Sequence, residues 1–91
     1  MTPARKAATL RSRARRQDFV NRVKRLQGCA DCRRSYHPAV MEFHHLDPAD
    51  KSAFIGELIR GAGMPRLKAE IRKCVLPCAN CHRLREWQMK S

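Results

Sequence analysis

A chain of 91 residues has room for one domain and one core, and it lacks the long apolar run that a membrane-spanning helix needs. Its 20 Lys and Arg against 8 Asp and Glu give a formal net charge of +12, which favours polyanionic partners, nucleic acid before an anionic membrane surface. Five cysteines, two Cys-x-x-Cys pairs and one over, argue against a secreted disulfide framework and for metal thiolates in a reducing compartment. A cytoplasmic protein is expected, since the N-terminus shows no hydrophobic signal core.

The charge is uneven. Residues 1–34 hold 11 basic side chains and two acids, Asp18 and Asp31, so this stretch carries +9 and the remainder +3. Pro3 to about Gln27 contains no internal Pro or Gly and is dominated by Ala, Arg, Lys, Leu and Gln, a helix-forming composition that Gly28 stops. Phe19, Val23 and Leu26 recur at helical spacing with Val20 beside them, which predicts an apolar face on the second half. Residues 4–16 have Leu10 as their one large apolar group and read either as an arm that orders on nucleic acid or as a disordered one. Arg11, Arg15 and Arg22 are candidate phosphate contacts. The expected organisation is a basic helix or arm over 1–27 and a second unit over 28–91 that carries the site.

Cys29-Ala30-Asp31-Cys32 predicts a tight knuckle at the end of that helix. After Pro38, residues 39–45 read as a short strand supplied with bulk by Val40, Met41 and Phe43, and Leu46 to Asp50 break it. Ser52 is a candidate cap for a helix over about 53–60, with Phe54, Ile55, Leu58 and Ile59 on one face and Gly61 and Gly63 after it. Pro65 suits the first turn of another short helix with Leu67 and Ile71 facing inward. Cys74 to Pro77 then runs extended into a second knuckle, Cys78-Ala79-Asn80-Cys81, and a last helix over about 80–89 is expected to pack through Leu84 and Trp87.

Cys29, Cys32, Cys78 and Cys81, with 45 residues between the pairs, match the four thiolates of a closed structural zinc site. One ion would tie the end of the first helix to the start of the last. Redox-active dithiols are the competing reading of the same residues. Cys74 is left over, either as a small buried apolar residue or as a ligand in place of Cys78.

A zinc site needs cysteines alone, so the histidines call for a different explanation. His44 and His45 are adjacent at a strand end and must point apart, while His82 is fixed in the first turn of the last helix directly after a zinc ligand. One imidazole could help hold a hard divalent ion while another deprotonates water.

Glu42-Phe43-His44-His45-x-x-Pro48, Lys51 and Cys78-Ala79-Asn80-Cys81-His82-Arg83 together resemble the HNH endonucleases of bacteria and their phages, over about residues 28–87. The resemblance implies a small α+β fold, a zinc-stapled ββα-metal finger following a long basic N-terminal helix. It implies that His44 and His82 hold a catalytic Mg(II), Mn(II) or Ni(II), that His45 is the general base, and that double-stranded DNA is the substrate. Relatives occur in phage packaging and restriction settings. Arg83, next to a metal ligand, is a candidate phosphate contact or a plain surface arginine. The alternative function is a zinc-dependent nucleic-acid-binding module without activity. Two positions depart from the family pattern: Lys73 stands where the central Asn usually lies, five residues before the third Cys, and Glu86 stands where some relatives have a further His. The i+4 spacing from His82 permits Glu86 as a third ligand or as a solvated charge, and His37 matches nothing in the pattern.

Overall fold

The computed structural model describes residues 3–90, with side chains from 6 to 89. It is a small α+β structure of four α-helices and one two-stranded sheet. In chain order these are α1 (Pro3–Gln27), β1 (His44–His45), α2 (Ile55–Gly61), α3 (Met64–Ile71), β2 (Cys74–Val75) and α4 (Ala79–Lys90), with single 3-10 turns at Pro38–Val40 and Pro48–Asp50. No helix among the described residues is long and apolar enough to cross a membrane.

The strands pair antiparallel, His44 opposite Val75 and His45 opposite Cys74. The same register extends beyond them. Glu42 N–H donates to Pro77 O at 2.9 Å, Leu46 N–H to Lys73 O at 3.1 Å, and Met41 bridges Cys78. A ribbon of residues 41–46 against 73–78 therefore runs directly from the histidine pair to the second knuckle. The expected strand is shorter at its start, because Pro38 opens a 3-10 turn whose first free amide, Ala39 N–H, is taken by His37 Nδ1 at 3.0 Å. His37 thus acquires a structural role as a cap.

Two small apolar clusters hold the molecule. Val20, Ile55, Leu58, Ile59 and Leu67 form one beneath α1, α2 and α3, and Cys29, Met41, Leu76 and Cys78 form the other around the knuckles. Phe43 packs against both. Helix α1 buries a seam centred on Val20, flanked by Arg16, Phe19, Val23 and Lys24, and Arg16 Nε donates to Ile59 O at 2.7 Å at the end of α2. Leu26 is 79% exposed, contrary to expectation, because at about 100° per residue it falls some 120° round the helix from Val20.

Three other expectations are corrected. Phe54 is exposed and stands just before α2, its ring under Lys51 Nζ at 3.4 Å to the centroid. Ser52 does not cap α2, which starts without a side-chain cap; its amide and hydroxyl are engaged by Glu70 and Lys73. Leu84 and Trp87 are 58% and 67% exposed. The inward side of α4 is instead Cys81, His82 and Arg85, so sulfur, imidazole and guanidinium seat this helix where apolar packing was anticipated.

Candidate functional site

Gly28, at φ +65°, ends α1 in the left-handed region that glycine tolerates, and a Cβ there would meet Arg34 O at 3.2 Å. The reversal brings Cys29 N–H to Arg34 O at 2.9 Å, with Arg33 also left-handed at φ 66°. This turn brings Cys29 and Cys32 onto one side of the chain. The ribbon register delivers Cys78, and the first turn of α4 delivers Cys81. All four Sγ atoms lie within 4.8 Å of one another, and no other group of three or more His, Cys, Asp or Glu converges in this way among the described residues.

The donor set fits a tetrahedral thiolate site. Cys29 Sγ accepts amide hydrogen bonds from Asp31 at 3.4 Å, Cys32 at 3.4 Å and Cys78 at 3.2 Å. Burial disfavours its thiolate, but these amides outweigh burial and bring the thiol down to about 6. Cys81 is pushed up to about 12 by its contact with Cys78 and by burial, with the other sulfurs adding to the effect. Four sulfurs so close cannot all ionise on their own, and a cation such as Zn(II) is the group that resolves the conflict. Cys74 stands outside the cluster: it packs on the helical core, its Sγ faces Glu70 O at 3.5 Å, and burial raises its thiol to about 11. That environment suits the small apolar role.

Around the corner of the ribbon lies a cleft of about 350 Å³ lined by Phe43, His44, His45, Pro48, Lys51, Phe54, His82 and Glu86. All three histidines singled out from sequence border it. His44 faces α4, its ring edge-on to His82 with centroids 5.1 Å apart. Burial, then the charges of His82 and Arg85, hold His44 below the ordinary imidazole range and so keep it in the neutral form that ligates metals. His82 Nδ1 lies 2.8 Å from Glu42 Oε1, and its Nε2 lies 3.5 Å from Glu86 Oε1. With Nδ1–H donated to Glu42, Nε2 keeps its lone pair free, as in the arrangement by which a carboxylate orients histidines that bind metals. Glu86 then stands beside that atom.

His45 turns to the other side. Its Nε2 is 3.1 Å from Glu70 Oε2 on α3, and its side chain is only 9% exposed. Lys73 reaches with Nζ to Asp50 O at 2.9 Å, Ser52 Oγ at 3.0 Å and Glu70 Oε1 at 3.2 Å. The loop between β1 and α2 is therefore braced by an ammonium. Sequence reasoning missed Glu70 altogether. The one signal that could have found it was a carboxylate on a helix whose Leu67 and Ile71 face inward, one turn after the first and next to the second.

Arg83 is exposed and lines a separate cavity with Asn80, Leu84 and Trp87, about one quarter-turn of α4 away from His82. Arg11, Arg15 and Arg22 lie on the exposed surface of α1. Lys51 is the cation that borders the histidine cleft itself. Comparison of the chain with protein-family models, with curated proteins and with solved structures gives no match.

Proposed function

We propose that this chain is a metal-dependent endonuclease of the HNH type, acting on double-stranded DNA in the cytoplasm, with His45 as general base. The observation that carries the reading is the convergence of His44, His45 and His82 on one cleft beside a four-cysteine cluster. A site built for zinc alone has no use for that trio. The order of ribbon and following helix is what a ββα-metal finger requires, with α2 and α3 inserted between its strands.

His44 and His82 would hold a divalent ion such as Mg(II), Mn(II) or Ni(II), with Glu86 Oε1 3.5 Å from His82 Nε2. Two imidazoles leave most of a coordination sphere to water and phosphate oxygens. When bound, the ion supplies positive charge where the phosphate accumulates negative charge. His45 takes a proton from the attacking water as its oxygen bonds to phosphorus, and the bond to the departing 3′ oxygen breaks, that oxygen gaining its proton from solvent. Lys51, on the rim of the cleft, meets the phosphate flanking the reacting one. The exposed basic face of α1, with Arg11, Arg15 and Arg22, supplies backbone contacts that do not depend on base sequence.

Nicking of supercoiled plasmid by the zinc-loaded chain, with added Mg(II), Mn(II) or Ni(II), tests the reading. Wild-type activity that falls about 100-fold or more in His45→Ala, with zinc content and DNA affinity retained, is the expected result. Equal activity in the two proteins would sink the catalytic assignment. DNA binding without nicking by any of the three ions would point to a binding module instead.

A further inference from the structure

Among the described residues Glu70 is the one buried charged residue, 3% exposed, and a carboxylate is retained in a dry position only when its lone pairs are occupied. Here they are. Oε2 accepts from Ser52 N–H at 3.2 Å and faces His45 Nε2 at 3.1 Å, and Oε1 accepts from Lys73 Nζ at 3.2 Å. None of this is needed to fold α3, whose packing residue is Leu67. Nor does either of the metal sites use it. The network instead joins three elements around one ring: α3 through Glu70, the entry to α2 through Ser52, and the residue before β2 through Lys73.

We propose that Glu70 is the positioning residue for His45, fixing which ring nitrogen carries the proton and which way the imidazole faces, with Lys73 holding the carboxylate in place. An ionised carboxylate against Nε2 requires the proton to be on Nε2, so the lone pair is confined to Nδ1, the only ring atom left to receive a proton from water. The β1 register sets the Cα of His45 opposite Cys74, one residue from Lys73, so the ring and its support are anchored by the same ladder. This division of labour, a base oriented by a buried acid, accounts for the absence of the amide brace at residue 73: an ammonium there neutralises the acid that does the orienting. The inference rests on the nuclease reading for its consequence in catalysis, but its geometric content concerns the ring alone.

The experiment has two arms on the full zinc-loaded chain. Long-range proton–nitrogen NMR on nitrogen-15-histidine protein reads the tautomer of His45 directly, without any variant. The expected result is a proton on Nε2 and an unprotonated Nδ1; a neutral His45 protonated on Nδ1 would overturn the proposal. The second arm measures plasmid nicking with Mn(II) for Glu70→Gln, Glu70→Asp and Lys73→Met, alongside zinc content and DNA affinity. Glu70→Gln is expected to lose roughly 100-fold in turnover with KM for plasmid unchanged, and Glu70→Asp to recover part of the loss. Full-rate nicking by Glu70→Gln, or loss of rate only in step with loss of zinc, overturns the positioning role while leaving the nuclease reading intact. A wild-type chain that never nicks overturns the nuclease reading and the catalytic role with it, and the tautomer still reports whether Glu70 holds the ring.

Discussion

Arg85 grips both carboxylate oxygens of Asp31 at 2.6 Å across 54 residues of chain. The pair joins the middle of α4 to the first knuckle on the outside of the cysteine cluster, so two parts of the sequence that share this cluster also share a fork of hydrogen bonds. Both side chains are about 30% exposed, which limits the value of the pair, while its bidentate geometry raises it above a casual surface contact. Arg85→Ala should lower the stability of the zinc-loaded protein by about 1 kcal/mol in thermal or urea unfolding. Arg85→Lys should recover little of that, since an ammonium cannot bridge two oxygens in parallel.

Removal of zinc should have the largest effect of any perturbation. Structural zinc binding in small domains contributes an apparent ~10–16 kcal/mol, more than the whole stability of most of them. Chelation at neutral pH should abolish cooperative unfolding and the ribbon's protected amides, as followed by circular dichroism and hydrogen exchange. Cys78→Ser should bind no zinc tightly by metal analysis, whereas Cys74→Ser should retain one equivalent, because Cys74 lies outside the sulfur cluster.

The seam of α1 gives a paired prediction. Val20 is 1% exposed in the helical core, so Val20→Ala should cost about 2 kcal/mol through lost methyl burial and the cavity left behind. Leu26→Ala, on the exposed side of the same helix, should stay within about 0.5 kcal/mol of wild type. A reversed order in chemical denaturation would show that α1 docks through a different face.

Glu70 makes stability depend on acid in a defined direction. Burial alone would raise its carboxyl, but hydrogen bonds from Ser52, Lys73 and His45, with the Lys73 charge, outweigh burial and hold it below its usual 4.5. A carboxylate favoured by the fold contributes stability that is complete above that ordinary value and is lost as pH falls through the lower, folded one. The stability difference between wild type and Glu70→Gln should therefore be constant near neutrality and shrink below about pH 4.5. Protonation within the cysteine cluster affects both proteins and cancels in the difference.

Deleting residues 1–14 removes four basic side chains, Arg5, Lys6, Arg11 and Arg13, while keeping Arg16 on its α2 carbonyls. Affinity for duplex DNA should fall, and the slope of log affinity against log salt should flatten by roughly 3 to 4 if all four face phosphates. An unchanged slope would remove α1 from the interface.

Features that depend on short-range chemistry were legible in the residues. The knuckles, the stop at Gly28 and the inward Leu67 follow from spacing and from glycine's freedom, and the four sulfurs do converge. Helix faces were harder. Apolar spacing pointed to Leu26, Leu84 and Trp87, but α1 is rotated onto Val20 and α4 is seated by Cys81, His82 and its ion pair, which hydrophobic periodicity cannot register. The Glu70–Lys73 network was invisible for a related reason: α3 is brought beside the β1–α2 loop only by the antiparallel ribbon, and no local pattern marks a carboxylate that becomes buried by such a return. Lys73 was noticed as a departure, and its geometry makes it a brace.

Phe43 touches both apolar clusters and immediately precedes the histidine pair. His44 and His45 thus stand at a seam where the knuckle half and the helical half of the molecule meet. A mismatch between the halves, such as slow metal loading on a newly made chain, should be felt at His44 and His45 first.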